Sequence, residues 1–177
     1  MKPQKALMSL DIGIETGFAI GTADGILCLS GVKKFKKKKS TKDPKSISDN
    51  RYHDFYAWLK FTVEDALNHG IDLTIVVEKA NAHMPGFDGV VLHFGFHAMV
   101  KCLQSEYNDA ITLYEVPAMS IKKFWLEDKE LVKLRGAASK SAMVNRTQEL
   151  YPSVENHNES DAIALFHLFS KRIKCQN

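Results

Sequence analysis

The chain has 177 residues, of which 45% are hydrophobic and 25% are charged, and its formal net charge is only +3. These values are typical of an ordinary globular protein with one sizeable core, and so small a net charge does not by itself indicate a nucleic-acid partner. No run of about 18 apolar residues is present, so no transmembrane helix is predicted. The three cysteines are scattered, and the N-terminal apolar run breaks at Asp11, so we expect a cytosolic protein.

Three β-strands are predicted in the first part of the chain. Residues 6–14 (ALMSLDIGI) form an apolar run, and two further β-rich runs surround Asp24-Gly25, which is a strong hairpin signal. The first run carries Asp11, and a carboxylate in such a place is costly unless another group pairs with it. Asp11 is therefore both a candidate strand end and a candidate functional residue.

A basic loop at about residues 33–45 follows the hairpin and contains eight lysines. Its composition fits a solvated loop or a chance run that resembles a nuclear-localisation signal. It also fits an arm that contacts phosphates, because clustered lysines bind polyanions by releasing condensed counterions.

Helices and strands alternate in the rest of the chain. The predicted elements are a helix (46–70), a strand (71–80), a helix (90–107), a strand (110–117) and three helices (120–128, 139–152 and 157–173). Ser48 and Ser139 are predicted to cap two of these helices, and Gly70 to end the first. The fold class is therefore α/β, with a mixed sheet of about five strands, the first three antiparallel, flanked by helices in a single domain over residues 1–177.

Three acidic residues follow or open these elements. Asp11 and Glu78 end the first and fourth predicted strands, and the two meet if those strands lie side by side and parallel. Asp161 opens the last helix. Hard oxygen ligands without cysteine suit Mg²⁺ or Mn²⁺, and two such ions can promote phosphodiester hydrolysis. Alternatively, Asp11 and Glu78 only end strands, and Asn158 with Asp161 satisfies the free backbone N–H groups and the dipole at the start of the last helix.

Several segments in order along nearly the whole chain resemble RuvC-type Holliday-junction resolvases of the RNase H-like fold, especially the short phage or viral versions. The segments are LDIGIETGFAI, VVEKA, EVPAMSIKKFW followed by GAASKSAM, and NESDAIAL. The resemblance implies a Mg²⁺-dependent endonuclease (Mn²⁺ substituting), with two ions per site, that cuts branched DNA such as four-way junctions in recombination and repair. It also implies a homodimer, in the host cytoplasm if the protein is viral.

The resemblance assigns roles to residues of this sequence. Asp11, Glu78 and Asp161 are implied to be catalytic metal ligands, and Lys140 is implied to lie near the scissile phosphate. Lys122 or Lys123 is implied to be the basic residue after Pro117. The family has Asp or His three residues before its last Asp, where this chain has Asn158. Asn158 itself, His157 or Glu159 would then complete the metal site.

On the fold implied by the resemblance, the basic loop can contact the DNA backbone. The residues expected to do so, besides Lys122, Lys123 and Lys140, are Lys36, Lys37, Lys38, Lys39 and Arg51. Backbone contacts position DNA and read its shape rather than its sequence. Phe87 either wedges into an opened base pair or simply packs.

Other functions remain open at this stage. A nuclease of the same fold that cuts flaps, forks or RNA–DNA hybrids would carry the same acids. A catalytically weak protein that only binds junctions is favoured by Asn158, because an amide adds no charge to the metal site. DIGIETG is also similar to the phosphate loop of actin- and sugar-kinase-like ATPases, but those need two such domains.

Overall fold

The computed structural model describes residues 4–37, 49–80 and 87–175. Within these ranges, five strands form one sheet: β1 (Gln4–Asp11), β2 (Glu15–Thr22), β3 (Leu27–Lys34), β4 (Ile71–Glu78) and β5 (Ile111–Val116). Their order across the sheet is β3-β2-β1-β4-β5. The first three strands are antiparallel, whereas β4 runs parallel to both β1 and β5. The predicted mixed sheet is therefore confirmed.

The helices described are α1 (Arg51–Asn68), α2 (Phe87–Tyr107), α3 (Ala118–Leu126), α4 (Lys129–Lys133), α5 (Gly136–Gln148) and α6 (His157–Lys174). A short 3₁₀ turn (Asn108–Ala110) precedes β5. Helix α4 was not predicted, because its five residues bury no side chain and give no apolar periodicity. None of the helices in the described ranges has the length and hydrophobicity of a membrane span.

Alternate residues of β1 face two different helical layers, as the period of a strand requires. Met8 and Leu10 belong to the core formed with α1 and α2, which includes Phe55 and Phe96. Leu7 belongs to the core on the opposite face, which contains Phe166 of α6. Burial on both faces explains why the first and fourth strands read as nearly continuous apolar runs.

Helix α6 lies close to the sheet at two points. The hydroxyl of Ser9 donates a 2.7 Å hydrogen bond to the carbonyl oxygen of Ala162. At Gly17 on β2, a Cβ atom would lie 1.9 Å from the carbonyl oxygen of Asn158, so only glycine leaves room for the first turn of α6. These two contacts place the beginning of α6, which carries Asp161, over the edge of the sheet.

A chain of buried hydrogen bonds joins α3, α5 and α6. The indole N–H of Trp125 donates to the hydroxyl of Thr147 over 2.9 Å, and that hydroxyl donates to the carbonyl of Met143 over 2.9 Å. Since its only hydrogen is used there, Thr147 accepts from Ser160, whose hydroxyl oxygen lies 2.7 Å away. Thr147 and Ser160 are fully buried. The three helices are therefore tied together at one polar point inside the core.

Two predicted helix caps are wrong. Helix α5 begins at Gly136, so Ser139 lies inside the helix instead of capping it. The residue that caps α6 is Asn156, whose side chain accepts a 2.8 Å hydrogen bond from the backbone N–H of Asn158. Asn158 is thus not needed as a cap. The predicted cap at Ser48 lies outside the described residues.

Candidate active site

The carboxyl ends of β1 and β4 bring two of the predicted acids together. Leu10 pairs with Val77 in the parallel ladder, so the next residues, Asp11 and Glu78, end neighbouring strands at the same edge. Asp161 of α6 lines the same pocket. All three side chains remain partly accessible to solvent. Three residues separated by as many as 150 positions in the sequence therefore share one pocket, as their arrangement along the chain predicted.

The three carboxylates disfavour one another's charge. Burial, followed by the charges of Asp161 and Glu78, raises the pKa of Asp11 well above its usual value, although Lys140 opposes this. Burial and the charge of Asp161 raise the pKa of Glu78 to about 7. Burial raises the pKa of Asp161 to about 6 in spite of Lys140 and Lys122. Burial, helped by the neighbouring acids at Asp11 and Glu78, therefore makes ionisation of the three carboxyls unfavourable in spite of the lysines.

The chemistry of these donors fits a hard divalent cation, since three carboxylates without a thiol are the ligands that Mg²⁺ and Mn²⁺ prefer. As placed, no group of three or more His, Cys, Asp or Glu side chains in the described ranges could hold a metal ion. Like charges without a cation between them favour separation. The side chains must therefore turn inward to share an ion.

The raised pKa of Glu78, caused first by burial and then by the charge of Asp161, predicts a pH-dependent effect of one substitution. Because the pKa of Glu78 is raised to about 7, its carboxyl is largely neutral at pH 5 and charged at pH 8 in the folded protein. In the unfolded chain a glutamate ionises near pH 4.3, so the stability penalty develops as the pH rises between these values. In EDTA, we expect Glu78→Gln to raise the melting temperature by several degrees at pH 8, about 2 kcal/mol, and much less at pH 5.

The control for this measurement is Glu155→Gln, which changes an exposed glutamate. Thermal denaturation of both variants and the parent protein at the two pH values checks the predicted change in melting temperature. The histidines are common to all three proteins, so their own titration cancels in the comparison. An equal gain in melting temperature for Glu78→Gln at pH 5 and pH 8 would contradict the raised pKa of Glu78.

Lys140 lies at the rim of the pocket, next to His157. Its ammonium donates a 2.8 Å hydrogen bond to Nε2 of His157, which requires that nitrogen to be unprotonated. Burial and the charge of Lys140 lower the pKa of His157. As the side chains stand, Nε2 of His157 is occupied by Lys140 and is not directed to a shared ion with the acids.

The other two candidates for a fourth metal ligand, Asn158 and Glu159, differ in whether they line the acidic pocket. Asn158 lines the acidic pocket, and its amide nitrogen donates a 2.8 Å hydrogen bond to the carbonyl of Glu15 on β2. Its amide oxygen accepts no hydrogen bond from the described residues. Glu159 instead accepts a 2.7 Å hydrogen bond from Ser30 on β3 and does not line the pocket. Asn158 is thus better placed than Glu159.

A second pocket adjoins the acids on the side of α3 and α5. Lys122 lines it together with Glu78, Lys140 and Asp161, whereas Lys123 is exposed and lies outside it. Of these two candidate lysines, Lys122 is therefore the one that shares a pocket with the acids. Arg135 also lines this pocket and was missed by the sequence analysis, although it directly precedes the GAASK segment.

One further pocket residue had no role in the sequence analysis. His93 of α2 donates a 3.1 Å hydrogen bond from Nδ1 to the carbonyl of Ile12, the residue after Asp11. Burial lowers the pKa of His93, although this hydrogen bond opposes the shift. The contact ties α2 to the loop that follows β1.

The predicted DNA contacts fall into three groups. Lys36 and Lys37 are exposed beyond the end of β3, where a long anion can reach them. Lys38, Lys39 and the side chain of Phe87 lie outside the described part of the structure. Arg51 is only 8% exposed and forms a two-point ion pair with Asp49, in which Nε lies 2.7 Å from Oδ1. A DNA contact at Arg51 would have to compete with this partly buried ion pair, and it stays a prediction.

The sheet order and the carboxylates at its edge define an α/β fold of the RNase H-like type, and solved structures share it. Thermus thermophilus RuvC, in two structures of which one is a complex with a Holliday junction substrate, aligns over 96% of this chain and 96% of its own, with a TM-score of 0.62 and 15% identity. The yeast mitochondrial Holliday junction resolvase Ydc2 aligns over 98% of this chain and 82% of its own, with a TM-score of 0.58 and 14% identity. The chain matches no protein-family model and no curated protein sequence.

Proposed function

We propose that this protein is a structure-selective endonuclease that resolves Holliday junctions and related branched DNA by metal-dependent phosphodiester hydrolysis. The observation that carries the proposal is the pocket at the edge of the sheet, where Asp11, Glu78 and Asp161 meet below the lysine at position 140. The RuvC-like fold supports the same activity, because one RuvC structure is a complex with a Holliday junction substrate and Ydc2 is a Holliday junction resolvase.

The residues divide into two groups in this proposal. Asp11, Glu78 and Asp161 would hold one or two Mg²⁺ ions, with the amide oxygen of Asn158, in the same pocket, as a further donor. When bound, such ions activate a water molecule and stabilise the leaving oxygen. Lys140 would hold the scissile phosphate and offset its negative charge, because it lines the acidic pocket. Lys122 would contact the DNA from the adjoining pocket.

The proposed partners are four-way DNA junctions and a second copy of the chain. Two copies would present two active sites to two strands of one junction. Lys36 and Lys37, with their neighbours in the basic loop, would contact the DNA backbone and so contribute affinity without sequence preference. Lys123 is also exposed and remains a candidate for such a contact.

A second candidate function is a protein that binds junctions but cuts them poorly. Asn158 favours it, because a neutral amide occupies the position where a charged or imidazole ligand is expected. Metal affinity would then depend on three carboxyls whose raised pKa values mean that ionising them is unfavourable. This candidate shares the fold and the lysines with the first and differs only in turnover.

The decisive experiment measures strand cleavage of a labelled four-way junction by the full chain in Mg²⁺, in Mn²⁺ and in EDTA. Linear duplex, a flap, a fork and an RNA–DNA hybrid of equal length are the comparison substrates. Paired symmetric nicks that require a divalent ion and occur only in the junction would support a resolvase. Faster cleavage of the flap, fork or hybrid would favour the broader nuclease, and tight junction binding without cuts in either metal would favour the binding protein.

A further inference from the structure

Two positive side chains converge on one backbone carbonyl beside the acidic pocket. The ammonium of Lys122 donates a 2.9 Å hydrogen bond to the carbonyl oxygen of Leu134, and Nη1 of Arg135 donates to the same oxygen over 3.2 Å. Arg135 also donates to the carbonyl of Val132 over 3.4 Å. Two cations that share one acceptor must lie close together, so each repels the other.

No carboxylate relieves this repulsion directly. Neither Lys122 nor Arg135 forms an ion pair with an acidic side chain in the part of the chain that the structure describes. Burial, and then the charge of Arg135, lower the pKa of Lys122, while Asp161 acts in the opposite direction. Because neither cation is paired directly with a carboxylate in the described residues, an anion that contacts both would stabilise the pair.

The start of α5 adds neutral donors to the same place. Arg135 occupies the N-cap position, and its side chain makes no capping hydrogen bond. The helix has 13 residues, so the unpaired backbone N–H groups of its first turn carry the positive end of the helix dipole. Gly136 and Ser139, in this first turn, line the pocket together with the two cations.

We propose that Lys122, Arg135 and the first turn of α5 form a phosphate subsite that holds a phosphodiester of the bound DNA strand next to the one that is cut. This inference rests on the proposed function. Two cations, a hydroxyl and free helix N–H groups are the donors that recognise a phosphate. The subsite adjoins the catalytic phosphate position, since Glu78, Lys140 and Asp161 line both pockets, whereas Arg135 does not line the pocket that holds Asp11.

The test compares Arg135→Gln with Lys133→Gln. Both changes remove one cation from neighbouring positions, but Lys133 is 69% exposed, pairs with Glu130 over 2.6 Å and does not line the pocket. Junction affinity is measured by fluorescence anisotropy in EDTA over a series of salt concentrations, so no cleavage is required. We expect Arg135→Gln to bind several-fold more weakly and to reduce the slope of log affinity against log salt by about 1, and Lys133→Gln to change neither appreciably.

A second measurement locates the subsite on the DNA. Single phosphates along one strand near the crossover are replaced in turn by neutral methylphosphonates. The parent protein should lose affinity at one position next to the cleaved phosphate, and Arg135→Gln should lose clearly less there, because one of the two cations that face that phosphate is already gone. Lys133→Gln should keep the profile of the parent.

Each outcome decides a different claim. An unchanged slope for Arg135→Gln, or the same loss at that phosphate in the variant and the parent, would overturn the subsite even if the junction is cut. Binding without cutting would remove the catalytic half of the proposed function, while the slope and the substitution profile would still decide the subsite. A parent protein that binds no DNA would overturn both.

Discussion

Asp11→Asn is expected to reduce junction cleavage by at least about 100-fold while junction binding stays the same or becomes stronger. The substitution keeps the shape of the side chain and removes one negative charge from the proposed metal site, where a bound ion supplies several kcal/mol of transition-state stabilisation. It also removes a charge that repels the phosphate backbone. Single-turnover cleavage in Mg²⁺ and junction binding in EDTA, measured on the same preparation, check the two halves of the prediction.

The matched control is Asp72→Asn. Asp72 lies at the opposite end of β4 from Glu78, so the same chemical change is made far from the pocket. We expect it to cut junctions at the rate of the parent. Undiminished cleavage by Asp11→Asn would remove Asp11 from the metal site. A loss of binding equal to the loss of cleavage would mean that Asp11 supports the structure of the DNA-binding face instead.

Gly17→Ala is expected to be nearly as damaging to cleavage, although residue 17 need not touch DNA. The added Cβ would lie 1.9 Å from the carbonyl oxygen of Asn158 and 2.9 Å from the backbone nitrogen of Glu159. Backbone atoms cannot rotate away, so the first turn of α6 must move outward and carry Asp161 with it. A displacement of about 1 Å in a catalytic group can cost about 100-fold in rate. The overpacking should also destabilise the protein by about 1–3 kcal/mol.

Gly89→Ala provides the comparison for this substitution. A Cβ at Gly89, in α2, would meet no atom of the described residues within 4 Å, so alanine should be neutral or slightly stabilising there. Melting temperature and single-turnover cleavage are measured for both variants, with circular dichroism to verify that Gly17→Ala remains folded. A folded Gly17→Ala variant that cuts at the parental rate would show that the position of α6 does not govern the site.

The acids could be predicted because their signals are local. Asp11 and Glu78 interrupt apolar runs that are buried on both faces, and each marks the point where a strand leaves the sheet. The parallel pairing of β1 with β4 then brings them together without further information. Asp161 stands near the start of a helix with an apolar face, and the packing of that face on the sheet brings Asp161 to the other two acids.

The features that were missed depend on residues far apart in the sequence. The requirement for glycine at position 17 arises from a backbone atom 141 positions later, and nothing in the local pattern of β2 reveals it. Arg135 gains its significance only from the carbonyl that it shares with Lys122. The cap of α6 was misplaced by two residues, because Asn156 and Asn158 are chemically equivalent and only the backbone shows which one precedes the helix.

The hydrogen-bond chain through Trp125, Thr147 and Ser160 has a mechanical consequence. Asp11 and Glu78 are held by the ladder of the sheet, whereas Lys122, Lys140 and Asp161 stand on three helices tied together at Thr147. Five groups on five elements thus fall into two sets, one on the sheet and one on the tied helices, and Ser9 and Gly17 lie at the contact between them. Assembly of the site then depends on a single distance between sheet and helices, so opening that contact would disengage the second set all at once and not residue by residue.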